Sequence, residues 1–319
     1  LYRQSYTLTH RGNWEWGDLE SYISFDKTVN SRLPEGLLGS TEGAYNSTTS
    51  FSDSILKNYR FGSRADLPLG RHTLTVGAEG GRSVLDDSAS MKQTMQTYGN
   101  IPWLASTGRS GKGSQNDFAI YVEDNISLNQ GRTFLTPGLR WDYNTAFGST
   151  FSPSFHFSHA LNDNWRIKGG IARAYKAPNL YQSNPEFILY TRGLGCPLAA
   201  GGRSLSCYYM GNANLKPETS VNKEIGAEFT RNGWQASATY FHNAYRNKIV
   251  IGERPLAINS NGNWLLEWSN TPKATIEGIE GNLVLPLHDT LKWSNNFTYM
   301  RKSVDAKGNP LSLVPKHTI

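Results

Sequence analysis

The chain has 319 residues, of which 38% are hydrophobic, 12% aromatic and 18% charged, and its formal net charge is +6. Its mean hydropathy of −0.51 looks soluble, and the sequence lacks the apolar runs of about 20 residues that membrane-spanning helices need. The basic residues are dispersed, which argues against a nucleic-acid-binding patch. An outer-membrane β-barrel remains compatible, because its strands alternate lipid-facing apolar residues with lumen-facing polar ones.

Six tight turns divide the chain, and each carries Gly, Pro, Asn or Asp where a hairpin requires them. These turns lie at residues 16–18, 68–70, 129–131, 161–164, 231–233 and 286–289. Six turns predict six antiparallel hairpins, or about 12 to 13 strands in an all-β, transmembrane antiparallel barrel.

Apolar and polar residues alternate between the turns with the period of two that strands require. The clearest apolar face contains Phe118, Ile120, Val122, Ile126 and Leu128, interrupted only by Asp124. A Lys or Arg at the lipid midplane costs about 2 to 4 kcal/mol. Arg166 and Lys168, which alternate with apolar residues, are therefore predicted to point into the lumen.

Four long segments rich in Gly, Ser, Asn and Thr separate the hairpins, at about 29–54, 85–116, 175–219 and 246–264. Short turns at one edge and long loops at the other are typical of outer-membrane barrels, where the long loops are extracellular. A soluble β-sandwich would also alternate, but its connections are shorter and less regular.

The sequence offers little for catalysis or metal binding. Cys196 and Cys207 are close in the chain and favour a loop disulfide in an oxidising compartment. His156 and His159 fall on opposite faces of a strand, which disfavours a shared metal. The segment 108–113 lacks the Lys-Ser/Thr ending of a phosphate loop, and no serine has the glycines of a nucleophile elbow. We therefore expect no enzyme, no metal site and no cofactor.

Two stretches carry a family resemblance. Residues 170–181, GIARAYKAPNLY, and residues 211–226, GNANLKPETSVNKEIG, resemble the signature of TonB-dependent outer-membrane receptors. Within that family the chain most resembles the ferric enterobactin receptors, on the stretches 177–185, 190–196, 245–249, 268–274 and 295–300.

The resemblance runs from about Tyr6 to Ile319 and implies a barrel of about 22 strands, with a lumen filled by an N-terminal plug domain. It makes residues 1–319 the central part of that barrel. The plug, the TonB box, the secretion signal and the closing strands are then expected elsewhere in the parent protein. The implied function is binding of ferric catecholate siderophores at the extracellular loops and import driven by TonB with ExbB and ExbD.

Such ligands are aromatic and carry about three negative charges, so Arg and Tyr in the outer loops are the natural contacts. Arg192, which the disulfide would hold in place, is the first candidate. The other candidates are Tyr190, Arg203, Tyr208, Arg109, Lys112, Arg32 and Tyr45. Leu194 departs from the Gln that related receptors often carry, which puts one polar ligand contact in question.

Several alternatives stay open at this point. Arg246 and Lys248 lie at a strand end, where basic residues also meet outer-membrane lipid and lipopolysaccharide. A receptor for another metal chelate, a passive porin-like channel and an adhesive β-protein would share the strand pattern. The sequence also leaves open whether bacteriocins or phages use the loops.

Overall fold

The structure, a computed structural model, describes residues 1–32, 51–87, 110–192, 196–197, 206–311 and 315–319. Sixteen β-strands lie in these residues. The first eight are β1 Tyr2–Trp14, β2 Gly17–Arg32, β3 Ser52–Leu69, β4 His72–Asp86, β5 Lys112–Leu128, β6 Thr133–Asn144, β7 Gly148–Ala160 and β8 Trp165–Lys176. A single 3-10 turn, Asn129–Gly131, joins β5 to β6.

The second half of the chain begins with a four-residue helix, α1, at Leu180–Ser183. The remaining strands are β9 Ile188–Arg192, β10 Ser206–Met210, β11 Glu218–Arg231, β12 Trp234–Ile251, β13 Ala257–Ile258, β14 Trp264–His288, β15 Leu291–Asp305 and β16 His317–Thr318. In the part of the chain that is described, no helix has the length and hydropathy of a membrane span.

The long strands form one antiparallel sheet in the order β1 to β8, then β11, β12, β14, β15 and β16. Consecutive strands pair as hairpins over as many as fifteen residues, as β2 and β3 do from Asp18↔Asp66 to Arg32↔Ser52. The all-β, antiparallel class predicted from the alternation is confirmed.

The six predicted turns all lie at one edge of this sheet, which we call the turn edge. In the turn between β11 and β12, Asn232 and Gly233 have φ of 47° and 82°, the left-handed pair that a two-residue hairpin needs. Gly17, with φ of 140°, leaves no room for a side chain, because a Cβ there would lie 2.1 Å from the Asp66 carbonyl oxygen. The turn residues in the sequence were therefore correctly interpreted.

The opposite edge, the loop edge, differs from the prediction in two ways. β6 and β7 are joined there by only three residues, 145–147, so short and long connections do not alternate strictly. β12 also continues to Ile251 inside the segment predicted as a loop at 246–264. The extension is apolar and β-branched at Ile249, Val250 and Ile251, which suits strand pairing with β14.

One face of the sheet is apolar and open to its surroundings, as lipid contact requires. Phe118, Ile120 and Val122 are 39%, 48% and 40% exposed. Asp124 interrupts this face, and its carboxylate forms a hydrogen bond with Nδ1 of His72 at 2.7 Å. Because His72 is the first residue after a turn, the polar pair lies toward the turn edge, where the surroundings are wet.

The other face carries the charges. Lys168 contacts Glu228, and Arg166 donates to the Ser158 hydroxyl at 3.3 Å, so both cations point away from the apolar face as predicted. Arg140 bridges two carboxylates on this face, Glu79 and Asp142, each at 2.9 Å. These paired charges line the lumen side of the wall.

Candidate functional site

A second, smaller sheet lies at the loop edge. β9 and β10 pair antiparallel. The first residues of β14 pair with β10 in parallel and with β13 antiparallel. Its core consists of Leu85, Phe187, Leu189, Cys196, Cys207, Tyr209 and Leu266. The segments predicted as plain loops therefore contain a packed layer. Sequence reasoning missed it because β9, β10 and β13 have only two to five residues and too little periodicity to detect.

Cys196 and Cys207 form the predicted disulfide, with their Cα atoms 5.9 Å apart. Cys207 lies on β10 and is fully buried, and Cys196 is 8% exposed. The bridge therefore ties the segment after β9 to the core of the small sheet.

Replacing both cysteines by Ala should speed amide hydrogen exchange in β9 and β10 of the complete receptor. The bridge closes a loop of about a dozen residues, worth at most about 3 kcal/mol in the chain-entropy model, and the β9–β10 pairing already restricts part of that freedom. Exchange followed by mass spectrometry would measure the effect, with β3 and β4 as internal controls. Unchanged exchange in β9 would contradict a tethering role.

The first-choice residues lie on this small sheet. In the β9–β10 register Arg192 is opposite Ser206 and Tyr190 is opposite Tyr208, while the side chains of Arg192 and Tyr190 lie outside what the structure describes. Tyr208 is fully buried and, because opposite residues of an antiparallel pair share a face, lies on the same face of the layer as Tyr190.

The remaining candidates fall in different places. Lys112 is exposed at the start of β5, with Nζ 3.7 Å from the Asp86 carboxylate. Arg203, Arg109, Tyr45 and Leu194 lie outside the described residues.

Arg32 belongs to a buried polar cluster that joins four elements at the loop edge. Its guanidinium is 3.0 Å from Asp87, whose side chain is only 1% exposed. Tyr181 on α1 donates its hydroxyl to the same carboxylate at 2.7 Å, and Ser54 on β3 lies 3.4 Å from that hydroxyl. The cluster therefore connects the ends of β2 and β4 to α1.

α1 is held in place by its own cap. Asn179 Oδ1 accepts from the Gln182 amide at 2.8 Å, and Gln182 Oε1 accepts from the Asn179 amide at 3.0 Å. Burial, together with the hydrogen bond to Asp87, raises the pKa of the Tyr181 hydroxyl to about 12. Tyr181 thus stays a protonated donor at physiological pH.

A cavity of about 490 Å³ lies beside this cluster on the lumen side of the sheet. Its wall combines hydroxyl and amide groups with the apolar side chains of four leucines, and Arg32 is its charged side chain; the leucines are Leu1, Leu56, Leu85 and Leu180. The polar lining residues include Thr28, Asn30, Ser54, Asn58, Ser83 and Gln115. None of these was singled out in the sequence, because isolated Ser, Thr and Asn give no signal beyond the strand alternation.

No group of three or more His, Cys, Asp or Glu side chains within the described ranges could hold a metal ion. The cavity is suited instead to a bulky solute that has both apolar surface and hydrogen-bond acceptors, because its wall offers leucine side chains, hydroxyls and a guanidinium.

The whole chain, residues 1–319, matches the family described as TonB dependent receptor-like, beta-barrel. It is 49% identical over 326 residues to the ferric enterobactin receptor PirA of Pseudomonas aeruginosa and 46% identical over 330 residues to a second ferric enterobactin receptor of that organism. It is 44% identical over 329 residues to the ferrienterobactin receptor of Escherichia coli K12. All three alignments cover 100% of this chain but only 43–44% of the relative, so the chain spans less than half of their length.

Solved structures agree with these relatives. A variant of the ferric enterobactin receptor PfeA of Pseudomonas aeruginosa, crystallised in complex with enterobactin, matches with a TM-score of 0.89 and 46% identity. The siderophore receptor PirA of Acinetobacter baumannii matches with a TM-score of 0.85 and 42% identity. Both matches cover 99% of this chain and 46% of the other.

Proposed function

Because the chain belongs to the TonB-dependent receptor β-barrel family, and so to the outer membrane of a Gram-negative bacterium, we propose that its parent protein imports ferric siderophores of the enterobactin type. The observation that carries the proposal is similarity over the whole chain, at 44–49% identity, to three receptors named for ferric enterobactin.

The geometry supports capture at the loop edge, which is the extracellular side in this family of architectures. The cavity beside Arg32 opens on the lumen face, directly inside the strand ends. A ligand captured at the loop edge would therefore enter the lumen past this cavity.

The chemistry of the proposed ligand favours contacts with cationic and aromatic side chains. A tris-catecholate iron complex carries about three negative charges, and a charge contact at about 4 Å contributes roughly 4 kcal/mol before desolvation at an effective dielectric of about 20. Arg192 and Tyr190 remain the first candidates for contact. The secondary candidates are Arg203, Tyr208, Arg109, Lys112 and Tyr45. Arg32 has a weaker claim, because the Asp87 carboxylate already compensates its charge.

The proposed transport makes and breaks no covalent bond in the ligand, and the iron arrives already chelated. We therefore propose a receptor and transporter that is not an enzyme and needs no protein-bound cofactor. Energy would come from TonB with ExbB and ExbD, through a TonB box and plug outside residues 1–319. Bacteriocins and phages are further candidate users of the same loops.

Arg192→Ala in the complete receptor should weaken binding of ferric enterobactin at least about tenfold, which is about 1.4 kcal/mol. Quenching of tryptophan fluorescence by the ligand would measure the affinity. Arg71→Ala is the matched control, because Arg71 lies in a turn at the opposite edge. Unchanged affinity in Arg192→Ala would remove this residue from the site.

The ligand class is tested separately, with the wild-type receptor and three iron complexes: ferric enterobactin, a linear ferric catecholate and a ferric hydroxamate. Preference for the hydroxamate would overturn the catecholate proposal and favour a receptor for another chelate. Uptake that persists without TonB would favour a passive channel.

A further inference from the structure

Two clusters of cations face outward on the sheet, in the half of the strands that is nearer the loop edge. We call them the first and second basic clusters, and they consist respectively of Lys27, Lys57 and Arg82, and of Arg246, Lys273, Arg301 and Lys302.

Strand alternation places both clusters on the lipid side. Lys27 is an even number of residues from Ile23 on β2, so the two side chains lie on the same face, and Ile23 is 60% exposed. Lys27 is opposite Lys57 in the β2–β3 register. On β12, Arg246 lies on the same face as Trp234 and Tyr240, which are 49% and 36% exposed. On this face, cations therefore follow the exposed apolar residues along each strand, and beyond Lys27 and Lys57 the face continues with Val29 and Ile55.

The cations lie at the height expected for the outer membrane–water interface. At about 3.3 Å per residue and a tilt of about 40°, the ten residues from Gly17 to Lys27 rise about 25 Å, and the twelve from Trp234 to Arg246 about 30 Å. An outward apolar band in such barrels is about 25 Å tall. Trp234 lies near the lower limit of the band, so the cations lie at its upper limit.

Each cluster contains two cations directly opposite one another, Lys27↔Lys57 and Arg246↔Lys273. Like charges in this position are destabilising unless an anion lies between or above them. None of these four side chains forms an ion pair with any residue that the structure describes. The compensating anion is therefore to be sought outside this chain.

The second cluster has one carboxylate, which is insufficient for its charge. Glu277, with a side chain 5% exposed, lies 2.7 Å from Arg301 and 3.9 Å from Lys302. A β-bulge next to Glu277 makes Arg301 an extra residue on β15 and brings both cations to the same carboxylate. Four cations with one carboxylate leave the cluster with a net charge of +3.

The surroundings suit a lipid headgroup. Under the first cluster, the rings of Phe25 and Tyr59 pack with centroids 5.0 Å apart, in the manner of an interfacial aromatic belt. Beside the second, a cleft of about 450 Å³ is lined by Lys248, Lys273 and Lys307 and also by two carboxylates, Glu253 and Asp305. Lys307 pairs with Glu253 at 3.5 Å, which leaves Lys248 and Lys273 as the cations of this cleft without an ion pair among the described residues.

We propose that the two basic clusters bind the phosphate groups of the outer-leaflet glycolipid, lipopolysaccharide. A phosphate monoester carries a charge of about −1.5 to −2 near neutral pH, and Arg and Lys pair with it through charge-assisted hydrogen bonds. Phosphates at this height would separate the opposed cations, while the acyl chains cover the apolar residues below. The cleft beside Lys273 would accept part of the sugar.

The proposal depends on the outer-membrane location and not on the siderophore, so it can fail without affecting the proposed function. The test titrates the detergent-solubilised complete receptor with diphosphorylated lipid A and counts bound lipid by native mass spectrometry. Combining K27Q, K57Q, R246Q and K273Q should weaken binding about tenfold to a hundredfold. Dephosphorylated lipid A should bind wild-type receptor as weakly as diphosphorylated lipid A binds the variant.

The control pair, Arg71→Gln with Lys292→Gln, removes two cations near the turn edge and should leave binding unchanged. A charge-conserving pair, Lys27→Arg with Lys57→Arg, should also retain it, and heat-modifiable mobility on a gel checks that every variant folds. Undiminished binding by the folded fourfold variant, or equal binding of dephosphorylated lipid A, would overturn the proposal. Full competition by inorganic phosphate at the lipid's own concentration would overturn the glycolipid as occupant.

Discussion

Asp87→Ala is expected to loosen the loop edge of the receptor by about 3 to 4 kcal/mol, the lower part of the range for breaking a buried ion pair. The substitution removes the partner of Arg32 and the acceptor of the Tyr181 hydroxyl at once. The full range is not expected, because the Arg32 side chain is 20% exposed and water can solvate part of its charge. α1 would lose the hydrogen bond from Tyr181 to Asp87 and keep the longer contact of Tyr181 with Ser54 on β3.

Hydrogen exchange of residues 177–187 in the complete receptor would measure this loosening, and the affinity for ferric enterobactin would fall with it. Tyr181→Phe provides a graded comparison, because it removes one hydrogen bond, worth about 0.5 to 1.5 kcal/mol, and leaves the ion pair intact. Asp87→Asn keeps the shape and removes the charge. If Asp87→Ala exchanges no faster than Tyr181→Phe, the ion pair does not hold α1.

The barrel wall was predictable because its signals are local. Each strand carries an apolar residue at every second position, as at Phe118, Ile120 and Val122. Each turn needs specific residues such as Asn232-Gly233. Even the exceptions follow physical rules, since Asp124 in the apolar face is next to His72.

The loop edge was less predictable because its contacts join distant parts of the chain. Arg32 and Asp87 are 55 residues apart, and Asp87 and Tyr181 are 94 apart. Nothing near Asp87 in the sequence indicates that its carboxylate is buried. The disulfide was predictable because two cysteines 11 positions apart leave one pairing within the chain, whereas the ligand contacts of Arg192 and Tyr190 remain predictions.

Which face of the sheet contacts lipid can be tested with two neighbouring residues of one strand, because one side chain faces the lipid and the next faces the lumen. Ile225 is 51% exposed on the apolar face at mid-height of β11, and Glu224 precedes it on the lumen face. Ile225→Arg should reduce the free energy of unfolding in lipid by about 2 to 4 kcal/mol, since it places a cation at the midplane of the hydrocarbon. Glu224→Arg should change it by less than about 1 kcal/mol, because that side chain meets a wet or polar lumen.

Urea unfolding of the complete receptor in phospholipid vesicles, followed by tryptophan fluorescence, would give both values. The same two variants measured in a short-chain detergent supply the control, because water penetrates a micelle more readily and the difference between them should shrink. Equal costs for the two substitutions in vesicles would contradict the outward orientation of Ile225. Since alternation links every strand to its neighbours, that result would also reverse the face on which Lys27 and Arg246 lie, and with it the lipid-facing position of both basic clusters.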